Sequence, residues 1–315
     1  MPEVKKLIFK NFLSPGDVLC MTAALYSLHR AFPGAYKTAV DTSCQALWEH
    51  NPDVSPLAEA QAEGDWQVLP MQYNVVNQSN QRAIHVLDGY CQDLENHLGV
   101  HVPLFTNKPL LFLSAQERSW LNQVAQETGR QVKFWVVNAG FKNCFTAKYW
   151  PFYQEVVDRL QGKVQFVQVG KKEHNHQPLR GVIDLLDKTD DRQLIRLISH
   201  AEGVLCGLTF TMHLAAAFQK PAVILAGGRE PKQWNTYANQ ILLNNVGQLP
   251  CCKTEACWKS RTVRLGDGAE ADAPDKLCAC PVMTPIPSPR CMALIAPDEV
   301  VRAILSYYEG GVLNF

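Results

Sequence analysis

The strongest constraint on the fold is a rhythm that the chain runs through twice. Residues 6–10 (KLIFK) read as a strand. Residues 18–31 read as a helix, with Leu19, Ala23, Leu25 and Leu28 roughly at helical spacing. A strand is expected at 36–40, and helices around 45–50, over 84–98 and over 115–128. The rhythm then restarts, with strands at 134–137 (FWVV) and 164–169 (VQFVQV) around a helix at 150–160. Helices at 192–201 and 211–218 accompany strands at 203–206 and 222–225, and an amphipathic helix at 297–308 closes the chain. Such α/β alternation implies parallel sheets with helices on both faces. Two runs imply two Rossmann-like domains facing a central cleft, residues 1–125 and 126–315. Ligands of that layout bind beyond the carboxyl ends of the strands.

Charge narrows the partners. The 315 residues carry 30 Lys and Arg against 30 Asp and Glu, so the basic excess of a nucleic-acid protein is missing. No apolar run approaches the ~20 residues of a membrane span. The opening MPEVKKLIFKNFLSPGD holds a short apolar patch without a cleavage site. A cytoplasmic protein is therefore expected, with at most transient membrane contact.

Eleven cysteines are the unusual number. Five are scattered, whereas Cys251, Cys252, Cys257, Cys278, Cys280 and Cys291 fall within 41 residues. In a reducing compartment such a cluster reads as metal ligation before disulfides. Cys252, Cys257, Cys278 and Cys291 fit a tetrahedral four-cysteine site for zinc or iron, with Cys251 and Cys280 as alternatives. The competing reading is a set of reduced or loosely paired thiols. Four thiolates leave no open position, so the metal would be structural, holding a Cys-rich insertion at 250–292 whose stretch 267–289 reads as irregular loop.

Four junctions between a strand and the next helix carry residues suited to chemistry. In Ser14-Pro15-Gly16-Asp17 the glycine permits a tight turn, and the helix start offers N–H groups to an anion. Asp17 there can take a proton from an attacking hydroxyl, or it is simply the helix N-cap. In residues 209–214 (TFTMHL), Thr209 or Thr211 can cap a helix whose N-terminus holds a phosphate. His213 either donates to a pyrophosphate oxygen or packs in the interior. In residues 138–151 (NAGFKNCFTAKYWP), Lys142 and Lys148 flank Thr146. Two ammonium groups near the cleft can neutralise a leaving diphosphate, or they are solvated lysines. Gly227-Gly228-Arg229-Glu230, with Trp234 and Tyr237 following, suggests backbone that approaches a ligand closely, or a structural Arg229–Glu230 ion pair.

Taken in order, these segments resemble the family 9 glycosyltransferases, the heptosyltransferase-like group, over nearly the whole chain. SPGDVLCMTAALYSLHRAFPGAY is similar to that family's first strand-turn-helix, and KYWP to its Lys-x-Trp donor element. LISHAEGVLCGLTFTMHLAAAFQKPAVIL is similar to its C-terminal signature, and the tail from Arg290-Cys291-Met292 also has a familial look. A cysteine-rich subgroup with SPGD, TAKxW, GGREP and CC…CW motifs is the nearest variant. The resemblance implies a GT-B fold, with the acceptor bound mainly by the first domain and a nucleotide sugar by the second. It also implies Asp17 as general base, Lys148 on the diphosphate, and Met212 and His213 at the start of the donor-binding helix. One departure stands out. The family pattern Asn-Asp-Ser-Gly, ahead of one residue and Met-His, is replaced by Gly207, Leu208, Thr209 and Phe210. Nucleotide and sugar identity therefore do not carry over.

The expected activity is glycosyl transfer, with inversion, from a nucleoside-diphosphate sugar to a glycan, lipid-linked or protein hydroxyl. Heptose is one candidate sugar. Asp17 would take the proton; Lys148, Lys142 and the helix start would meet the diphosphate charge without a catalytic metal. Thr146, Thr209, Gly227, Gly228, Arg229 and Glu230 complete the expected donor site. The competing readings are a nucleotide-sugar binder that no longer turns over, another GT-B activity such as an epimerase, and a metal or redox protein.

Overall fold

The structure is a computed structural model and describes residues 3–73, 82, 84–283 and 285–314. The first half holds β1 (Lys5–Asn11), α1 (Pro15–Ala31), β2 (Tyr36–Thr42), β3 (Val54–Ser55), α2 (Leu57–Glu63), β4 (Gln67–Pro70) and α3 (Val86–Leu98). Two short helices, α4 (Ala115–Ser119) and α5 (Gln123–Thr128), lead to the second half. There the order is β5 (Trp135–Asn138), α6 (Tyr153–Arg159), β6 (Phe166–Gly170), β7 (Ile183–Leu186), α7 (Asp191–His200), β8 (Gly203–Gly207), α8 (Phe210–Ala217), β9 (Ala222–Gly227) and β10 (Gln240–Asn244). The hairpin β11 (Pro281–Val282) and β12 (Ser288–Pro289) precedes α9 (Arg290–Ala293) and the closing α10 (Pro297–Glu309).

Both large sheets are wholly parallel, in the orders β3-β2-β1-β4 and β10-β9-β8-β5-β6-β7. Strand order reverses between β1 and β4 in one and between β5 and β8 in the other. Each reversal opens a crevice at the carboxyl ends of its strands. Strands β8 and β9 are buried along their whole length, as expected where helices cover both faces. Helix α1 opens with Pro15 at its start and Asp17 in its first turn, both favourable there. It joins the halves. A Cβ on Gly16 would lie 3.0 Å from His213 Cδ2 and 3.4 Å from Phe210 Cα, so the first turns of α1 and α8 pack almost backbone to backbone. One core cluster runs through both halves, from Leu7 and Leu25 to Leu214 and Ile224. Arg192 on α7 adds a polar clamp, donating to the carbonyls of Ala46 and Phe112 and pairing with Glu117 and with Glu49.

Three expected helices are corrected. Residues 45–50 give one 3-10 turn, Gln45–Trp48, because His50 adopts a left-handed conformation and Pro52 follows. The single helix expected over 115–128 is two, because the Asn122 side chain caps a fresh start on Ala125 N. The helix expected from 150 begins at Tyr153: Pro151 disfavours helical backbone at Trp150, whose indole is held by the Ile295 carbonyl at 3.0 Å. Strands β3, β4, β7 and β10 lie outside the predicted set. All four are sheet edges, short and only partly apolar, which is how edge strands escape a hydrophobicity reading. The stretch 267–289 holds two 3-10 turns and the β11–β12 hairpin within its loop.

Candidate active site

Both crevices face the same space. On the first side, Asp17 is not the N-cap of α1. That position belongs to Ser14, and the Asp17 carboxylate, at the third position of the helix, accepts from the Ser14 backbone N–H. Tyr73, just past β4, donates its phenol proton to Asp17 Oδ1 at 2.8 Å. The Tyr73 ring is set edge-on by Tyr90 and Trp234, with centroids 5.2 and 5.4 Å away. Burial lifts the Asp17 pKa above the ordinary carboxylate value. The Tyr73 hydrogen bond and the Lys148 charge pull the other way, and Glu230 adds to the rise.

Across the space, Lys148 donates to the Leu208 carbonyl at 2.9 Å and stands 3.3 Å from Glu230 Oε1. Glu230 is also paired with Arg229, and its second oxygen accepts from Asn235 Nδ2 at 2.7 Å. Burial works against its charge, yet Lys148 and Arg229 hold its pKa below normal. Desolvation lowers the Lys148 pKa. The ammonium and the Arg229 guanidinium both lie over the Phe145 ring, at 5.3 and 5.1 Å. The N-terminal turns of α1 and α8 converge beside these groups, and two helix dipoles favour an anion between them.

Other expected site residues turn elsewhere. Lys142 is exposed and acts on His174 rather than on the Lys148 group. Thr146 faces the Cys-rich segment, its hydroxyl accepting from Thr262 N at 2.9 Å. Thr209 is the α8 N-cap but makes no capping bond with its side chain, while the Thr211 hydroxyl accepts from Asn138. The Met212 side chain is core, fully buried. His213 is interior too: Nδ1 lies 2.9 Å from Tyr237 Oη and 3.3 Å from Cys20 Sγ. Burial pushes its pKa down to about 3, so the imidazole is neutral and offers no positive charge to a pyrophosphate.

The glycine pair is also explained by packing. A Cβ on Gly228 would meet Cys252 Sγ at 2.9 Å, and one on Gly227, which has φ of +57°, would meet Met292 Sδ at 2.6 Å. Gly227 and Gly228 make room for the cysteines, correcting the expectation of ligand approach. All six clustered cysteines line one cavity of about 10 Å³. Cys251 and Cys280 sulfurs are 3.4 Å apart, and Cys278 and Cys280 3.9 Å. Thiolates around a tetrahedral ion with ~2.3 Å bonds stand about 3.8 Å apart. These two pairs approach that spacing, but no three of the six sulfurs lie within 4.8 Å of one another, so the cysteines share a cavity without forming a closed four-sulfur site. Burial raises the pKa of the Cys257, Cys278 and Cys291 thiols, that of Cys291 to about 12, while backbone hydrogen bonds from Lys259, Cys280 and Gly228 respectively pull the other way. No disulfide links these cysteines.

The cysteine module also braces both loops of the Lys148–Glu230 group. Trp258 N donates to the Arg229 carbonyl at 3.0 Å, and Arg229 Nε to the Lys259 carbonyl at 2.8 Å. Ala147 N donates to the Ser260 carbonyl at 3.1 Å, and the buried Arg261 to the Asn143 carbonyl at 2.9 Å. Among the described residues Glu49, His50 and Glu117 have metal-ligand spacing, but Arg192 and the Ser114 N–H already occupy the Glu117 carboxylate. Sequence reasoning missed Tyr73 and an open crevice of about 350 Å³ lined by Lys171, Glu173, Asp187 and Thr189. The crevice lies past β6 and β7, and with β7 unrecognised nothing in the sequence marked it.

A family model described as glycosyltransferase family 9 (heptosyltransferase) matches residues 62–260, more than half of the chain. No curated protein matches significantly. Solved structures do. A family 9 glycosyl transferase from Veillonella parvula superposes with a TM-score of 0.61 at 15% identity, over 79% of this chain and 90% of that one. The E. coli ADP-heptose lps heptosyltransferase II gives 0.59 at 13% identity, over 98% and 100%. The iron-containing dodecameric heptosyltransferase TibC from enterotoxigenic E. coli, in complex with ADP-D-beta-D-heptose, gives 0.67 at 14% identity, over 98% and 78%. At these identities the likeness establishes the GT-B fold.

Proposed function

Because the chain belongs to glycosyltransferase family 9, and so moves sugars from nucleotide-sugar donors, we propose that Asp17 and Lys148 are the two poles of its transfer site. The observation that carries this reading is their approach to one another: a half-buried carboxylate from one half within electrostatic reach of a half-buried ammonium from the other. An acceptor hydroxyl attacks the anomeric carbon and its proton passes to Asp17. The new C–O bond forms as the bond to the diphosphate breaks, with inversion. Lys148 and the converging helix N-termini take up the charge on the leaving diphosphate. The nucleoside lies toward the crevice at Lys171, Glu173, Asp187 and Thr189, beyond the strand ends. Closure around the substrates keeps water from the donor. Residues 1–125 act as the acceptor side and 126–315 as the donor side.

ADP-heptose is the first donor to try, since two of the similar proteins are named for it. The acceptor is a surface glycan such as a lipopolysaccharide core, a lipid-linked sugar or a protein hydroxyl. No described helix is long and apolar enough to cross a membrane, in keeping with a cytoplasmic enzyme that meets such acceptors transiently. We assign Cys252, Cys257, Cys278 and Cys291 to a structural iron or zinc ion, with Cys251 and Cys280 as alternates. That ion supplies a cross-link; the residues it braces do the binding.

The test pairs a binding panel with one variant. ADP, UDP, GDP and their sugar conjugates are screened for thermal stabilisation. A ligand at 100 times its Kd stabilises by about 2.7 kcal/mol. Asp17→Asn is expected to lose transfer by about 10²–10⁴-fold while keeping nucleotide affinity. Full turnover in that variant would remove Asp17 from its role.

A further inference from the structure

The lysine at the centre of the site has an unusual partner. At the place where the family pattern puts an acidic residue this chain has Leu208, and Lys148 bonds the backbone carbonyl of that same residue. Its carboxylate partner comes instead from the loop after β9. Glu230 is only 6% exposed, yet it faces two cations and an amide: Lys148 at 3.3 Å, Arg229, and Asn235 at 2.7 Å. Its backbone is fixed as well, the carbonyl accepting from Asn244 Nδ2 at 2.8 Å. Arg229 is anchored to the Lys259 carbonyl and lies over the Phe145 and Trp258 rings. A diphosphate drawing Lys148 toward itself would therefore leave Glu230 still charged and still held by Arg229 and Asn235. Oε1 would keep Arg229 and Oε2 would keep Asn235, but the side of Oε1 that faced Lys148 would be open to a further donor. A carboxylate can only accept hydrogen bonds, and a sugar hydroxyl is the donor that such a vacated position suits.

Glu230 and Lys148 both act electrostatically on the Asp17 carboxylate, so the three groups stand close together. In the reading proposed above, on which this inference rests, the diphosphate lies at Lys148 and the base is Asp17. What stands between them is the sugar being transferred. We propose that Glu230 recognises that sugar, accepting hydrogen bonds from its hydroxyls, and thereby restricts the enzyme to neutral polyhydroxy sugars. A uronic acid would bring a second carboxylate against a buried one, which is unfavourable in a poorly solvated site. Selection would thus come from repulsion as well as attraction.

Glu230→Gln tests this, since the amide keeps the shape and can still accept from Asn235. Calorimetric titration compares the wild type and the variant against three ligands in each of the ADP, UDP and GDP series: the bare diphosphate, its glucose conjugate and its glucuronate conjugate. The wild type is expected to bind the glucose conjugate tighter than the bare nucleotide and to reject the glucuronate. The variant is expected to lose about tenfold of the sugar's contribution, to hold the bare diphosphate at least as tightly, because Lys148 is less engaged, and to admit glucuronate. Glu230→Asp, which keeps the charge but withdraws it by one methylene, is expected to fall between them and guards against a folding defect in the first variant. Equal weakening of diphosphate and conjugate would make Glu230 a structural residue, and wild-type tolerance of glucuronate would also overturn the proposal. Failure of every bare diphosphate to bind the wild type would instead sink the donor-site reading, and the role of Glu230 with it.

Discussion

Asp17 is a carboxylate that folding makes reluctant to ionise, and a base must be ionised to work. Transfer should therefore fall as pH drops through a midpoint above the ordinary carboxylate value. Tyr73 opposes that rise by donating to the carboxylate. Removing the donor in Tyr73→Phe lifts the Asp17 pKa further, so the acid limb of the kcat/KM profile should move to higher pH; an unmoved limb would detach Tyr73 from the base. His213 gives a second, independent pH signature. Its pKa is about 3 in the fold and near 6.5 in an unfolded chain. The unfolded state then binds a proton that the native state refuses. His213 should make stability fall by about 1.4 kcal/mol per pH unit on acidification from roughly 6.5. Urea melts of the wild type and of His213→Gln across that window check this: the variant should show the shallower slope. Asp17 and Lys148 were legible because each sits in a strand–helix junction of strong pattern. The burial of His213, the inward turn of Thr146 and the service of Gly227 and Gly228 to the cysteines depend on partners 24 or more residues away, and local spacing carries no trace of them.

At the scale of elements, the cysteine module is neither an appendage nor a catalytic centre. It lies along the two loops that present Lys148 and the Arg229–Glu230 pair, bonded to both through backbone groups. Cys291→Ser should lower the metal content, measured by elemental analysis. It should lower the melting temperature and raise the KM for the donor more than it reduces kcat. A normal donor KM in metal-free protein would separate the module from the site. The existence of the cluster was plain from composition. Its geometry was not, because the six residues are gathered by contacts with β9 and α9 rather than by their own spacing. The elements followed the same division. Central strands, buried on both faces, announce themselves as apolar runs, while the edges β3, β4, β7 and β10 do not. The unread β7 removed one wall of the crevice at Lys171, Glu173, Asp187 and Thr189 from view.

At the scale of the molecule, the halves are held by an apolar seam and by polar contacts that include Cys20–His213, Cys44–Asp191 and Lys108 on the Ala217 carbonyl, with Arg192 the most connected. The apolar seam is the packing of α1 on α8. Arg192 is mostly buried and grips two carbonyls and the buried Glu117. Arg192→Ala leaves that carboxylate without its cation and should destabilise the protein by about 3–5 kcal/mol. Limited proteolysis near residues 112–123 should be faster in the variant; equal resistance would show that the remaining contacts suffice to hold the halves. The meeting of Gly16 with His213 has a mechanical consequence. A side chain at position 16 would have to push the two halves apart, and the shared core around the seam leaves them no room to yield. Asp17, the next residue along, inherits that fixity: the carboxylate is aimed by the seam between the halves rather than by the loop that precedes it.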